Sequence, residues 1–388
     1  MHLDPMMPKV VAAAFVVLLI GLFLRRFRQP HVVVYLMAGA IIGPHGIGIL
    51  TDAGIAARLG DVGVVLLLFF VGMEVSLPRL VANWRVAIIG SALQIGLTVG
   101  VVWLVGAWLG WSTGRSVLLG FVVCLSSTAV VVSMLREWGQ LDSEAGHDAV
   151  GVLLVQDLAL VPMLIVIGLM ADEPTTAGTV GLQIAGGVVI IALVAVVLRK
   201  GTISLPFAAR LRSDHELQVF SAFVLCFGFA TATAMAHLST ALGAFVAGIV
   251  VASARETEWV HKSLDALRVL LVALFFVSVG MLLDTSFLLE HWWILGALVI
   301  AVLLSNTFLN AGILRALGRP WAASIYVGSL LAQVGEFSFV LAAVGQEKGL
   351  ISGYGYQMTV GLIALTLLLS PAWIAVVRRL TVGNERVA

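Results

Sequence analysis

Long apolar runs, separated by short polar or charged stretches, recur from residue 9 to residue 378. Crossing the hydrocarbon core of a bilayer as a helix takes about 20 mostly apolar residues. The runs at 9–24, 31–49, 60–76, 85–110, 115–136, 149–170, 179–199, 216–237, 240–254, 267–284, 292–315, 321–346 and 356–378 therefore predict an all-α polytopic membrane protein with about 13 transmembrane helices. The first run ends in Arg25, Arg26 and Arg28 with no cleavage site after it, so it reads as a retained span and not as a signal peptide.

Loop charges support that count. With the N-terminus outside, 18 of the 22 Lys and Arg residues fall on the inner side, leaving Lys9, Arg58, Arg115 and Lys348 outside. Dropping one span would scramble this positive-inside bias, so the expected topology is N-terminus outside and C-terminus cytoplasmic.

The runs also repeat. Leu68-Phe-Phe-Val-Gly-Met-Glu-Val-Ser-Leu77 resembles Leu274-Phe-Phe-Val-Ser-Val-Gly-Met-Leu-Leu283, and Ala38-Gly39 resembles Ala247-Gly248. The polar interruption Ser126-Ser-Thr128 in span five corresponds to Gln333-Val-Gly335 in span twelve. All three pairs lie at nearly one offset, and the repeat units stand an odd number of spans apart, so they enter the membrane from opposite sides. Inverted repeats with interrupted helices in corresponding positions are the sequence mark of a secondary transporter with a midplane site.

Composition narrows the picture. The chain is 61% hydrophobic and 11% charged, with a net charge of +1. Most of its surface is thus meant for lipid, and nothing in its charge suits it to nucleic acid. Cys124 and Cys226 sit in apolar runs and offer no disulfide or metal framework. No nucleophile with an activating base, metal-ligand spacing or phosphate-binding loop is present, so no enzyme activity and no cofactor are expected. No soluble domain is expected on either side of the spans, the longest internal polar segment being the basic loop from Arg199 to Glu216.

Against that background, Asp157 in span six is conspicuous. An ionised carboxylate at membrane depth is costly and persists only with partners or as a group that exchanges its charge. Gln156 beside it adds a neutral oxygen and two donor hydrogens. Ser126, Ser127 and Thr128 read as an unwound segment whose carbonyls and hydroxyls face a cavity and suit a hard alkali cation. In span twelve, Gly335 marks a second helix break with Gln333 and Glu336 beside it, where Glu336 either joins the cation route or caps the broken helix. Glu74, near Arg79 and Arg85, reads as a surface ion pair. Asn306 and Asn310 read as helix–helix hydrogen-bonding groups, and His147, His215 and His261 as solvated loop residues.

Taken together, Gln156-Asp157, Leu125-Ser-Ser-Thr-Ala129, Val334-Gly-Glu-Phe337, Ala241-Leu-Gly-Ala-Phe-Val-Ala-Gly248 and Phe276-Val-Ser-Val-Gly-Met281 resemble the cation/proton antiporter-2 family, and within it the membrane domain of Kef-type potassium efflux antiporters. The resemblance runs from about Val10 to Leu380. It implies an NhaA-like antiporter fold with two discontinuous crossing helices, and core and dimerisation subdomains interleaved in sequence and moving elevator-fashion. It also implies a homodimer in the prokaryotic inner membrane, with the family's ion-binding aspartate at Asp157. In that family a Gln before the Asp goes with potassium exchange and paired acids with electrogenic sodium exchange. Kef-type proteins carry a cytoplasmic nucleotide-binding domain that would follow Arg379. Its regulatory role is expected to be supplied by a separate subunit, by a part deleted from this chain, or not at all.

The expected activity is electroneutral alternating-access exchange of a monovalent cation, potassium ahead of sodium, for a proton at Asp157, with Gln156, Ser126, Ser127 and Thr128 as further cation contacts. Gln333, Gly335 and Glu336 would line the other broken helix. Sodium–proton exchange by the same residues is the alternative within transport. A gated potassium channel, the alternative from another class, would require a repeated carbonyl filter that this sequence does not show, and a sensor or scaffold would leave Asp157 unexplained.

Overall fold

The computed structural model describes residues 6–26, 29, 31–50, 53–74, 85–170, 214–236, 238–253 and 258–381, together with helical residues 181, 182, 185–190, 192, 193 and 196. Among these no residue is in a strand, and each of the thirteen apolar runs includes helical residues. The chain runs through α1 (Met6–Arg25), α2 (His31–Ile42), α3 (Ala53–Glu74) and α4, which opens with a π turn over Arg85–Gly90 and continues as Ser91–Trp108. It continues through α5 (Thr113–Cys124), α6 (Thr128–Glu137), α7 (Glu144–Leu169), α8 (His215–Met235), α9 (Thr240–Ala252) and α10 (Glu258–Met281). After a short α11 (Thr285–Glu290) come α12 (Trp292–Ala316), α13 (Trp321–Leu330), α14 (Phe337–Glu347) and α15 (Gly353–Thr381). Glu74, His215 and His261 keep their helical backbone, but their side chains lie outside the described residues, as does all of Arg79.

Among the described residues, seven helical stretches, with α5–α6 taken as one, are long and apolar enough to cross a membrane, while α2, α9 and α14 are shorter apolar helices. This is a multi-pass membrane protein. Helix α1 leaves Val10, Val11, Phe15, Leu18, Leu22 and Phe23 exposed, a surface that water would not tolerate and lipid matches.

Two compact units emerge, each assembled from separate stretches of chain. The first comprises Met1–Ala53, Pro78–Leu160 and Val279–Ala388; the second comprises Gly54–Leu77 and Val161–Ser278. In the first unit α4 packs along α5, α12 along α13, and α14 against α5 and α15. In the second, Phe69, Phe70 and Met73 of α3 bury against Ala222, Cys226 and Ala230 of α8 and Ala244, Ala247 and Val251 of α9. With no hydrophobic force to join helices in lipid, small residues that let backbones touch decide such packing.

The sequence repeat reappears as a repeated contact. In the first unit a Cβ on Gly280 would lie 3.0 Å from Gly39 Cα and collide with the carbonyl oxygen of Leu36. In the second, a Cβ on Gly72 would lie 3.0 Å from Gly248 Cα and collide with the carbonyl oxygen of Phe245. Gly39 and Leu36 correspond to Gly248 and Phe245 at an offset of 209 residues, and Gly72 corresponds to Gly280 at 208. The same backbone-to-backbone crossing is therefore built twice.

Candidate cation site

Both predicted helix breaks lie in the first unit and touch each other. Helix α5 ends at Cys124, Leu125 turns extended (φ −81°, ψ 128°), and Ser127 (φ −84°, ψ 111°) caps α6 by accepting from Val130 N–H. On the other side of the crossing α13 ends at Leu330, and α14 starts after Glu336. Gly335 N–H donates to Leu125 O at 2.7 Å, Ser126 Oγ donates to Leu331 O at 2.8 Å, and Gln333 Nε2 reaches toward Ser127 O at 3.5 Å. A Cβ on Gly335 would sit 2.5 Å from the Ser126 carbonyl and 2.9 Å from Ser127 N, so only glycine permits this approach.

A broken helix in a membrane leaves backbone groups that water cannot satisfy. Here protein donors take them. Phe121 O accepts from Cys124 Sγ, Val122 O from Ser338 Oγ at 2.6 Å, and Cys124 O from both Gln94 Nε2 at 2.8 Å and Gln156 Nε2 at 3.0 Å. Asn306 Nδ2 donates to Val123 O at 3.0 Å and to Ala332 O at 3.1 Å, so one amide from α12 brackets both breaks. Asn310 donates to Asn306 O within its own helix. The carbonyls freed by unwinding, expected to face a cavity, are thus bonded within the protein at residues 121–125.

Of the residues singled out in the sequence, Asp157 and Thr128 come together directly. Asp157, on α7 and 8% exposed, accepts from Thr128 Oγ1 at 3.1 Å. Thr128 is the first residue of α6, so the carboxylate lies at a helix N-terminus, where the backbone dipole favours negative charge. Ser126 and Ser127 belong to the same break, with their hydroxyls engaged as above. Gln156 is fully buried; its Oε1 accepts from Ser126 N–H at 3.0 Å and its Nε2 also donates to Gln94 Oε1 at 3.1 Å. Glu336 is buried at the N-cap of α14, and Gln333 Oε1 is buried without a hydrogen-bond partner among the described residues.

Two groups of consequence carry no strong sequence signal. Gln94 is a single amide in the apolar helix α4. Arg319 sits in the α12–α13 loop after Gly318 (φ +97°) and pairs with the buried Asp148 on α7, Nη2 donating to Oδ1 at 2.8 Å and Nε standing 2.6 Å from Oδ2 in ion-pair contact, and it also meets Glu144. The hydrogen bond to Asp148 pushes the Arg319 guanidinium further above its ordinary range. Tyr326 Oη donates to Gln140 Oε1 at 2.6 Å, and Arg378 lies over the Trp138 ring. These contacts tie the end of α6 and the start of α7 to α13 and α15.

The profile described as sodium/hydrogen exchanger, transmembrane, matches residues 11–379. The chain belongs to this exchanger family. Among its curated relatives, the iron transporter MagA of Paramagnetospirillum magneticum is 36% identical over 376 residues, covering 96% of this chain and 86% of that protein. The putative cation/proton antiporter YbaL of Escherichia coli is 30% identical over 99% of this chain and 70% of its own length. The glutathione-regulated potassium-efflux protein KefC of Escherichia fergusonii is 32% identical over 89% of this chain, which spans 56% of KefC. Kef-type relatives accord with the motif resemblance. The sodium proton antiporter MjNhaP1 of Methanocaldococcus jannaschii superposes with a TM-score of 0.72 over 98% of this exchanger and 100% of that chain, at 14% identity. That likeness establishes the NhaA-like antiporter fold.

Proposed function

We propose that this cation/proton antiporter exchanges potassium for a proton, one for one, with Asp157 holding either. The observation that carries the reading is the Asp157 carboxyl, buried at the N-terminus of the half-helix α6 with Thr128 Oγ1 as donor. Burial favours the neutral acid, while a bound cation favours the carboxylate, so the two ligands compete for one site. With either bound the site is neutral, whereas an empty carboxylate meets the desolvation cost of the membrane interior. Exchange without net charge movement follows. Thr128, the remaining lone pair of Gln156 Oε1 and the Gln333 Oε1 oxygen supply neutral ligands, and one carboxylate matches one monovalent charge.

Potassium is favoured over sodium by the Gln156-Asp157 pair and by the relatives named for potassium efflux. The same reading makes the protein a homodimer in a prokaryotic inner membrane, with the N-terminus outside and with core and dimerisation subdomains interleaved in sequence.

The test is proton movement in vesicles carrying an internal pH dye under a clamped membrane potential, with potassium, sodium or ferrous iron added in turn. Proton movement with potassium that is lost in a folded Asp157→Asn variant supports the proposal. Movement with sodium or iron alone keeps the site and overturns the cation. Unaltered exchange in Asp157→Asn overturns the site.

A further inference from the structure

Gln94 makes its hydrogen bonds to Gln156 and Cys124, and in doing so it closes a ring around the α5–α6 break. Starting from Ser126 N–H, the ring passes to Gln156 Oε1, from Gln156 Nε2 to Gln94 Oε1, and from Gln94 Nε2 to Cys124 O. Gln156 Nε2 spans the ring by also donating to Cys124 O. Both amides are buried, Gln156 at 0% and Gln94 at 1% exposure.

The two backbone groups fix every role in this ring. Ser126 N–H can only donate, so Gln156 must turn its oxygen to it and its NH2 to the other side. Cys124 O can only accept, so Gln94 must turn its NH2 to it and its oxygen to Gln156. Neither amide can flip without setting donor against donor or acceptor against acceptor in a buried site. Leu125 is held extended between the two anchored residues, and Thr128 begins the next turn of chain.

We propose that Gln94 is a positioning residue for cation exchange: through Gln156 it sets the shape of the α5–α6 break and so the placing of Thr128 against Asp157. On this account the chief task of the Gln156 amide is to hold the break, and an acid cannot replace either glutamine while ionised. The inference rests on Asp157 and Thr128 forming the exchange site. Partners in the outer shell of a bound ion typically alter affinity by about 10- to 100-fold when removed. Gln94→Leu should therefore raise the KM for potassium on the order of tenfold, with a smaller change in kcat.

Gln94→Glu separates positioning from space-filling. While protonated, the carboxyl introduced by that substitution can still accept from Gln156 and donate to Cys124 O; once ionised it presents only acceptors. Among the described residues, the titratable side chains at this break and at the one bonded to it are the Cys124 thiol, which already donates to Phe121 O, the Asp157 carboxyl beside Gln156, and the buried Glu336 carboxyl at the N-cap of α14, next to Gly335. The variant should approach normal exchange at acid pH and lose it relative to the unaltered protein as pH rises. Its melting temperature in detergent should fall away in the same direction, because the folded state favours the neutral acid.

The experiment measures potassium-driven proton movement against pH for the unaltered protein, Gln94→Leu and Gln94→Glu. Melting temperature and amide hydrogen exchange over 124–128 are followed in detergent on the same samples. The expected result is a raised KM and faster Ser126 exchange in Gln94→Leu, with a pH-dependent defect in Gln94→Glu. An unaltered KM and unaltered Ser126 exchange in Gln94→Leu, or a Gln94→Glu curve parallel to that of the unaltered protein, overturns the proposal. Should the unaltered protein move no protons with potassium, the exchange reading fails; Ser126 exchange and the melting curves then decide whether Gln94 holds the break.

Discussion

The Gly335 amide points at the Leu125 carbonyl from 2.7 Å, so the two broken helices are joined backbone to backbone, without an intervening side chain. Gly335→Ala places a methyl group 2.5 Å from the Ser126 carbonyl. Overpacking of this kind costs about 1–3 kcal/mol, and here it pries open the crossing itself. The expected outcome is loss of exchange with a lowered melting temperature, both measured on purified protein. Normal transport by that variant would show that the close approach is dispensable.

Thr128 Oγ1 donates to Asp157 Oδ2 at 3.1 Å. A hydrogen bond to a charged group is worth about 1.5–3 kcal/mol. Thr128→Val keeps the volume and removes the donor, and should raise the KM for the transported cation by roughly 10-fold or more on that energy. Thr128→Ser should restore most of it. Equal KM values for the valine and serine variants in vesicle assays would remove Thr128 from the site.

Asn306 satisfies two carbonyls that belong to different halves of the chain, Val123 O and Ala332 O. An unsatisfied buried polar group costs about 1–3 kcal/mol. Asn306→Ala strands both and should lower the melting temperature well below that of Asn310→Ala, whose amide donates within α12 to Asn306 O. Equal melting temperatures for the two variants would argue against the bracket.

Arg319 and Asp148 form an ion pair joined by a hydrogen bond, with the carboxylate buried and the guanidinium partly exposed. Removing one partner of a buried pair costs about 3–5 kcal/mol; solvent at the Arg319 end puts this case toward the lower figure. Arg319→Gln should destabilise the protein, and adding Asp148→Asn should recover part of the loss. A double-mutant cycle on melting temperatures measures the coupling, and strictly additive losses would mean that the pair does not act as one unit.

The course of the spans, the inverted repeat and the positions of both breaks were legible because each leaves a local mark. Apolar length marks a span, and Ser126-Ser-Thr128 or Gly335 in an apolar run marks a place where the helix gains nothing by continuing. Asp157 was legible because charge at membrane depth is expensive wherever it occurs. Gln94 and Arg319 escaped for a different reason. Each is a polar residue whose side-chain partners lie 30 to 175 residues away along the chain, and no spacing within its own segment says which carbonyl or carboxylate it will meet. The three hydroxyls were read as lining a cavity, yet Ser126 and Ser127 are occupied in stitching the break, because unwound backbone in lipid must first be satisfied by the protein.

The mirrored glycine crossings bear on how such a chain could have arisen. Gly39 and Gly72 lie in the first half and Gly280 and Gly248 in the second, and each crossing takes one glycine from each half. A half-length precursor folding alone would have closed neither crossing. It would have needed a second copy inserted the opposite way up, so a duplicated gene that fused such a pair would make one synthesis event deliver both orientations in fixed proportion.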